Sequence, residues 1–80
     1  MSWNHRLLAH EHKGEIYLRF HEVHYDENGK PIGCTYNPIP VGGESVKSCR
    51  WTLNRMKEAL QKPILWYGDR FPEEYQPNQE

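Results

Sequence analysis

The chain has no long apolar run. Nowhere in its 80 residues does a stretch approach the ~20 apolar positions of a bilayer-crossing helix. The opening Met1-Ser2-Trp3-Asn4-His5-Arg6 likewise lacks the apolar segment of a secretory signal. No membrane association is expected, and a cytoplasmic setting is. Cysteine is scarce: Cys34 and Cys49 are the two present, too few for a disulfide scaffold and without the close spacing of a zinc site. They read as buried thiols of a reducing compartment. An excess of one charge is missing as well, since the formal net charge is -1, which counts against a mainly electrostatic hold on nucleic acid. Apolar residues make up only 36 % of the chain, below the roughly 45 to 50 % of ordinary globular domains. A few large side chains must therefore build the core, and three Trp, five Tyr and two Phe can supply the area.

What is present is alternation. From Trp3 to Glu11 and from Glu15 to Tyr25, apolar and β-forming residues predict two strands. Between them Lys13-Gly14 suits a two-residue hairpin turn, because glycine supplies positive φ without steric cost. Pairing His12 with Glu15 then places Trp3, Leu7, Ala9, Ile16, Leu18 and Phe20 on one face, the expected core. The opposite face carries Arg6, Leu8, His10, His12, Glu15, Tyr17, Arg19, His21, Val23 and Tyr25.

Asp26-Glu27-Asn28-Gly29-Lys30 fits a type I turn closed by a glycine bulge, leading into a third strand over 31–37. A three-residue loop sends Ile32, Cys34 and Tyr36 to the face of Leu18 and Phe20, whereas a two-residue Asn28-Gly29 loop sends them to the other. The first gathers the apolar side chains and is preferred. Pro31 cannot donate to a ladder, so this strand belongs at a sheet edge. Asn37-Pro38-Ile39-Pro40-Val41-Gly42-Gly43 is an extended crossing, after which Ser45 caps a helix over 46–62. Val46, Cys49, Leu53, Met56 and Leu60 form its apolar stripe, and Pro63 stops it. Ile64-Leu65-Trp66-Tyr67 is either a short fourth strand or a segment wrapped over the core. Beyond it, Arg70 stands against Asp69, Glu73, Glu74 and Glu80, and this acidic, proline-containing stretch reads as a flexible tail. The expected fold class is α+β: a three-stranded antiparallel meander, with a fourth strand left open, packed on one amphipathic helix. Residues 1–68 form the single domain and 69–80 the tail.

Few residues suggest catalysis. His10 and His12 share a strand face with Glu15 opposite, a set that could converge on a metal ion. Without a foreseeable fourth ligand, ordinary polar residues beside a turn explain them better. His21 and His24 point to opposite faces and read as structural. Gly42-Gly43 before a helix resembles a phosphate cradle, but no lysine follows at the required spacing and Glu44 adds negative charge. Ser45 and Ser48 read as caps, and a core cysteine with no base beside it is inert. No enzyme activity and no cofactor are expected.

The helix's outer side says more. Lys47, Arg50, Trp51, Asn54, Arg55, Glu58, Gln61 and Lys62 fall away from the apolar stripe, leaving an indole among cations. Folded down over neighbouring stems, Trp51 would be unremarkable. Trp and Arg are also the side chains that most often anchor interfaces, and they suit base and phosphate contacts too. Lys47, Arg50, Trp51, Arg55 and Lys62 are accordingly the first candidate binding face. The second is the uncovered side of the sheet, where Leu8, Tyr17, Arg19 and Tyr25 would meet a partner or a second copy of the chain.

Trp3-Asn4-His5-Arg6, His21-Glu22-Val23-His24-Tyr25-Asp26, Gly29-Lys30-Pro31, Asn37-Pro38, Gly43-Glu44-Ser45 and Ala59-Leu60-Gln61-Lys62-Pro63-Ile64-Leu65 together resemble a family of small uncharacterised bacterial and phage proteins. That resemblance implies no particular activity. Gly33-Cys34-Thr35, then Gly43-Glu44-Ser45 and a helix, are more distantly similar to the HicB-type antitoxin domain, which implies a small toxin as partner. The segment between these signals is longer here, and no DNA-binding extension follows the helix. The function expected is a non-catalytic interaction protein of phage or host-defence context. A protein partner ranks first, a homodimer is favoured, nucleic acid ranks second and metal binding third.

Overall fold

A computed structural model describes residues 2–77 of the chain. Its elements run β1 (Ser2–His12), β2 (Glu15–Tyr25), β3 (Pro31–Cys34), α1 (Val46–Ala59) and β4 (Leu65–Trp66). This is an α+β architecture with a four-stranded sheet in the order β3-β2-β1-β4. The first three strands are antiparallel in chain order, as alternation predicts, while β4 runs parallel to β1 and makes the sheet mixed.

The first hairpin follows the sequence closely. Lys13 and Gly14 take φ of 52° and 83°, so both central residues are left-handed, which matches the twist of a tight hairpin. His12 faces Glu15, and the ladder continues unbroken to Ser2 opposite Tyr25. At the second turn Gly29 has φ 82°. Gly29 N–H donates to Asp26 O at 3.0 Å and Asp26 N–H to Lys30 O at 2.9 Å, the three-residue loop with a glycine bulge that was expected. The face assigned to β3 is nevertheless corrected. Tyr25 faces Pro31 but His24 faces Gly33, so a bulge leaves Ile32 unpaired and sets Cys34 opposite Val23. One extra residue flips all that follows. Cys34 joins the side of Val23 rather than that of Phe20, and Ile32 stands in solvent. β3 lies at the edge, as Pro31 requires, and stops at Cys34.

The helix starts as expected. Ser45 caps it in a reciprocal box with Ser48, at 3.1 Å from Ser48 N–H to Ser45 Oγ and 3.0 Å from Ser45 N–H to Ser48 Oγ. Gly43 permits this closeness: a Cβ there would collide with the Ser48 hydroxyl and approach Cys49 N to 2.9 Å. Regular helix ends at Ala59, and 60–62 form a looser turn. The helix lies on the predicted side of the sheet but packs on β1 with Met56 and Ala59 buried, whereas Val46, Leu53 and Leu60 of the expected stripe are exposed. At 100° per residue the inward direction is turned by roughly 60° from that stripe. Ile16 on β2 is consequently exposed as well.

The other face of the sheet is covered over Leu8 and Val23, which narrows the open face that was expected. Leu65 and Trp66 pair with Leu8 and Ala9, and Tyr67 N–H donates to Ala9 O at 3.0 Å. The chain then folds back, with Trp66 N–H on Glu73 O at 2.8 Å and Tyr75 N–H on Ile64 O at 2.7 Å. Tyr67 and Phe71 thereby close over Leu8, Val23 and Leu65, joined by Tyr25 and Cys34. Composition marked 69–77 as a flexible tail, yet these residues are hydrogen bonded into the fold; Asn78, Gln79 and Glu80 lie outside the described residues. Both cysteines are free thiols. No helix among the described residues is long and apolar enough to cross a membrane.

Candidate functional site

At the start of β1 two indoles stand half out of the surface. Alternation puts Trp3 and His5 on the face that α1 covers, and one turn of helix sets Trp51 above them. Trp51 lies 6.3 Å from both the Trp3 and His5 rings, and Trp3 meets His5 edge-on at 5.4 Å. The Arg55 guanidinium sits 5.3 Å from each indole and donates to Trp3 O at 3.4 Å. Such cation–π contacts contribute about 0.5 to 1 kcal/mol at exposed sites, and they hold the rings without burying them. Trp3 keeps 39 % and Trp51 50 % of its surface exposed. Lys47 and Arg50 are exposed on the same helix and Lys62 in the turn that follows it, and Trp3 joins Trp51 and Arg55. Alternation assigned Trp3 to the core, and its place near the open end of β1 was the available signal that it stays half-exposed.

Beside this platform lies a cleft of about 450 Å³ lined by Asn4, His5, Arg55, Glu58, Gln61 and Lys62. His5 is almost fully buried, and its Nδ1 is enclosed without a hydrogen-bond partner. Burial above all holds its imidazole below the ordinary value of 6.5, with Glu22 opposing and Arg55 reinforcing the shift. His5 is therefore neutral near pH 7. Behind the cleft Arg6 is buried and no carboxylate pairs with it among the described residues. Its Nη1 donates to Tyr25 Oη at 2.7 Å and its Nη2 to Pro63 O at 2.7 Å, while Nε has no partner. Tyr25 in turn donates to Asn4 Oδ1 at 2.7 Å.

The histidines grouped by sequence fall apart and regroup. His12 and Glu15 are exposed beside the turn, whereas His10 turns to His21, Nε2 to Nε2 at 2.8 Å. His21 is wholly buried and its Nδ1 meets Thr35 O at 3.0 Å. A carbonyl only accepts, so the proton is on Nδ1 of His21, and His10 Nε2–H donates to the remaining lone pair. His10 is stacked between Tyr67 at 4.2 Å and Tyr17 at 5.0 Å. Burial lowers the pKa of both imidazoles, and for His10 the Arg19 charge adds to it. His24 points the other way, 3.8 Å from Glu22. Among the described residues no three His, Cys, Asp or Glu side chains gather as a metal site would require.

The second candidate face is largely spent on the fold. Leu8 is fully buried and Tyr25 is tied into the Arg6 network. Tyr17 and Arg19 remain exposed, the guanidinium 4.8 Å above the ring. No family model, curated protein or solved structure matches the chain.

Proposed function

We propose that the protein is a non-catalytic interaction module that binds a protein partner through Trp3, Trp51 and Arg55, with Lys47, Arg50 and Lys62 around them. The observation that carries this reading is the pair of half-exposed indoles clasping a guanidinium. In a chain this poor in apolar residues, two large rings left at the surface are costly unless something covers them. Trp and Arg dominate the energy of interfaces because each brings large area and directional donors with few rotors to freeze. Their placement on a helix supported by a sheet gives a rigid platform, which lowers the ordering cost of association. A homodimer through the sheet face loses its motive, since residues 65–71 already cover it.

Affinity capture from the native cell with wild-type protein and with the Trp51→Ala/Arg55→Ala variant tests the reading. A partner held by the wild type should be lost from the variant while circular dichroism stays unchanged. Equal capture by both would remove this face from consideration. Nucleic acid is the competing occupant, because stacked rings beside cations also receive bases. It would reveal itself as oligonucleotide binding that falls steeply with salt.

A further inference from the structure

We propose that the cleft lined by Asn4, His5, Arg55, Glu58, Gln61 and Lys62 is a carboxylate receptor, taking an Asp or Glu side chain of the partner next to the Trp3–Trp51 platform. The inference rests on the interaction-module reading and adds the chemistry of the residue that enters.

The donors are set by bonds made behind the cleft. Tyr25 accepts from Arg6 and donates to Asn4 Oδ1, so the oxygen of that amide is occupied and its NH2 is left for a ligand. His5 Nδ1 is enclosed and unpartnered. An enclosed N–H without an acceptor costs more than an enclosed lone pair, so the imidazole proton belongs on Nε2 and His5 is a neutral donor. Neither orientation needs a ligand to impose it.

The charges agree with the donors. Arg55 and Lys62 line the cleft against the single carboxylate of Glu58, and neither Lys62 nor Glu58 forms an ion pair among the described residues. Arg6 adds a buried guanidinium with no carboxylate beside it, linked to the cleft through Tyr25 and Asn4. A positive charge away from bulk water acts at longer range than one at the surface, because less solvent screens it. An incoming carboxylate would thus offset a cation that the fold leaves uncompensated. Protein is favoured over a phosphate backbone because the cleft is one compact set of mixed amide, imidazole and cationic donors, not a stripe of cations, and the chain has a net charge of -1.

The test is a nitrogen-edited NMR titration of the intact chain with three probes: N-acetylated, C-amidated tetraglutamate, the matching tetraglutamine, and hexathymidylate. Tetraglutamate should shift the Asn4 side-chain amide and the Trp51 indole saturably, and tetraglutamine should not. Lys62→Glu, which reverses an exposed charge, should weaken tetraglutamate binding about tenfold, a lost attraction and an added repulsion together. No saturable shift with tetraglutamate, equal shifts with tetraglutamine, or tighter binding of hexathymidylate would each overturn the proposal. Partner capture separates this failure from failure of the module itself. If Trp51→Ala abolishes capture and Lys62→Glu leaves it intact, the platform stands and the carboxylate receptor does not.

Discussion

Three imidazoles inside a small fold make its stability depend on acid. His5, His10 and His21 all have pKa values lowered from 6.5 by burial. The unfolded chain therefore binds protons that the folded chain refuses. Stability is complete above about 6.5 and declines as pH falls below it toward the folded values, because in that window the unfolded state binds more protons. His21 should contribute most, since its Nδ1 is committed to Thr35 O and its Nε2 to His10, and a proton has no place to enter without breaking the pair. His10 can accept one at Nδ1 while still donating from Nε2. Thermal midpoints measured from pH 7.5 to 5.5 should fall, and fall less in His21→Gln, whose amide can still donate to Thr35 but cannot ionise. A flat profile for the wild type would show that these rings are not buried as described. None of this was legible beforehand, because the sequence paired His10 with its strand neighbour His12, while the partner that matters is across the ladder.

At the scale of elements, local chemistry was read well and rotation was not. Lys13-Gly14, Asp26 to Gly29 and Ser45 each determine their turn or cap through φ preferences and bonds within five residues, so sequence suffices for them. The bulge at Ile32 and the phase of α1 depend on partners far along the chain. Spacing marked one inward direction, through Val46, Cys49, Leu53, Met56 and Leu60; the structure takes a second, through Thr52, Met56 and Ala59. The second prevails where Trp51 and Arg55 are held by Trp3 and His5 at the outer half of β1, which draws the helix away from β2. The two directions share Met56 and differ in what they predict at Leu53. Met56→Ala should destabilise by about 2 to 4 kcal/mol, as truncation of a buried Met does. Leu53→Ala, at a half-exposed position, should cost below about 1 kcal/mol. Denaturant titration of the two variants checks this, and comparable losses in both would restore the stripe read from spacing.

For the whole molecule, the last quarter of the chain decides whether the sheet has one core or two. Its acidic and proline-rich composition suggests solvent, and composition averages over residues without seeing Trp66, Phe71 and Tyr75 among the charges. The aromatic residues prevail because the helix covers only one side of a sheet whose other side presents Leu8 and Val23. Phe71 packs into that cluster, Tyr75 meets Trp66 edge-on at 5.0 Å, and Arg70 lies 4.1 Å over the Trp66 ring while Glu73 stands 3.6 Å from its Nε. A chain ending at Gly68 would lose the partial burial of Phe71, at most about 1.5 to 3 kcal/mol, and the backbone hydrogen bonds of Trp66 with Glu73 and of Tyr75 with Ile64, at about 1 kcal/mol each. Truncation should thus lower the unfolding free energy by roughly 3 to 5 kcal/mol, a large part of what so small a domain possesses. A dispensable tail would leave the denaturation midpoint where it is. Guanidinium unfolding of the two chains distinguishes a sheet covered on both faces from one open to partners, and in the covered sheet Trp3 and Trp51 are the indoles with surface left to offer.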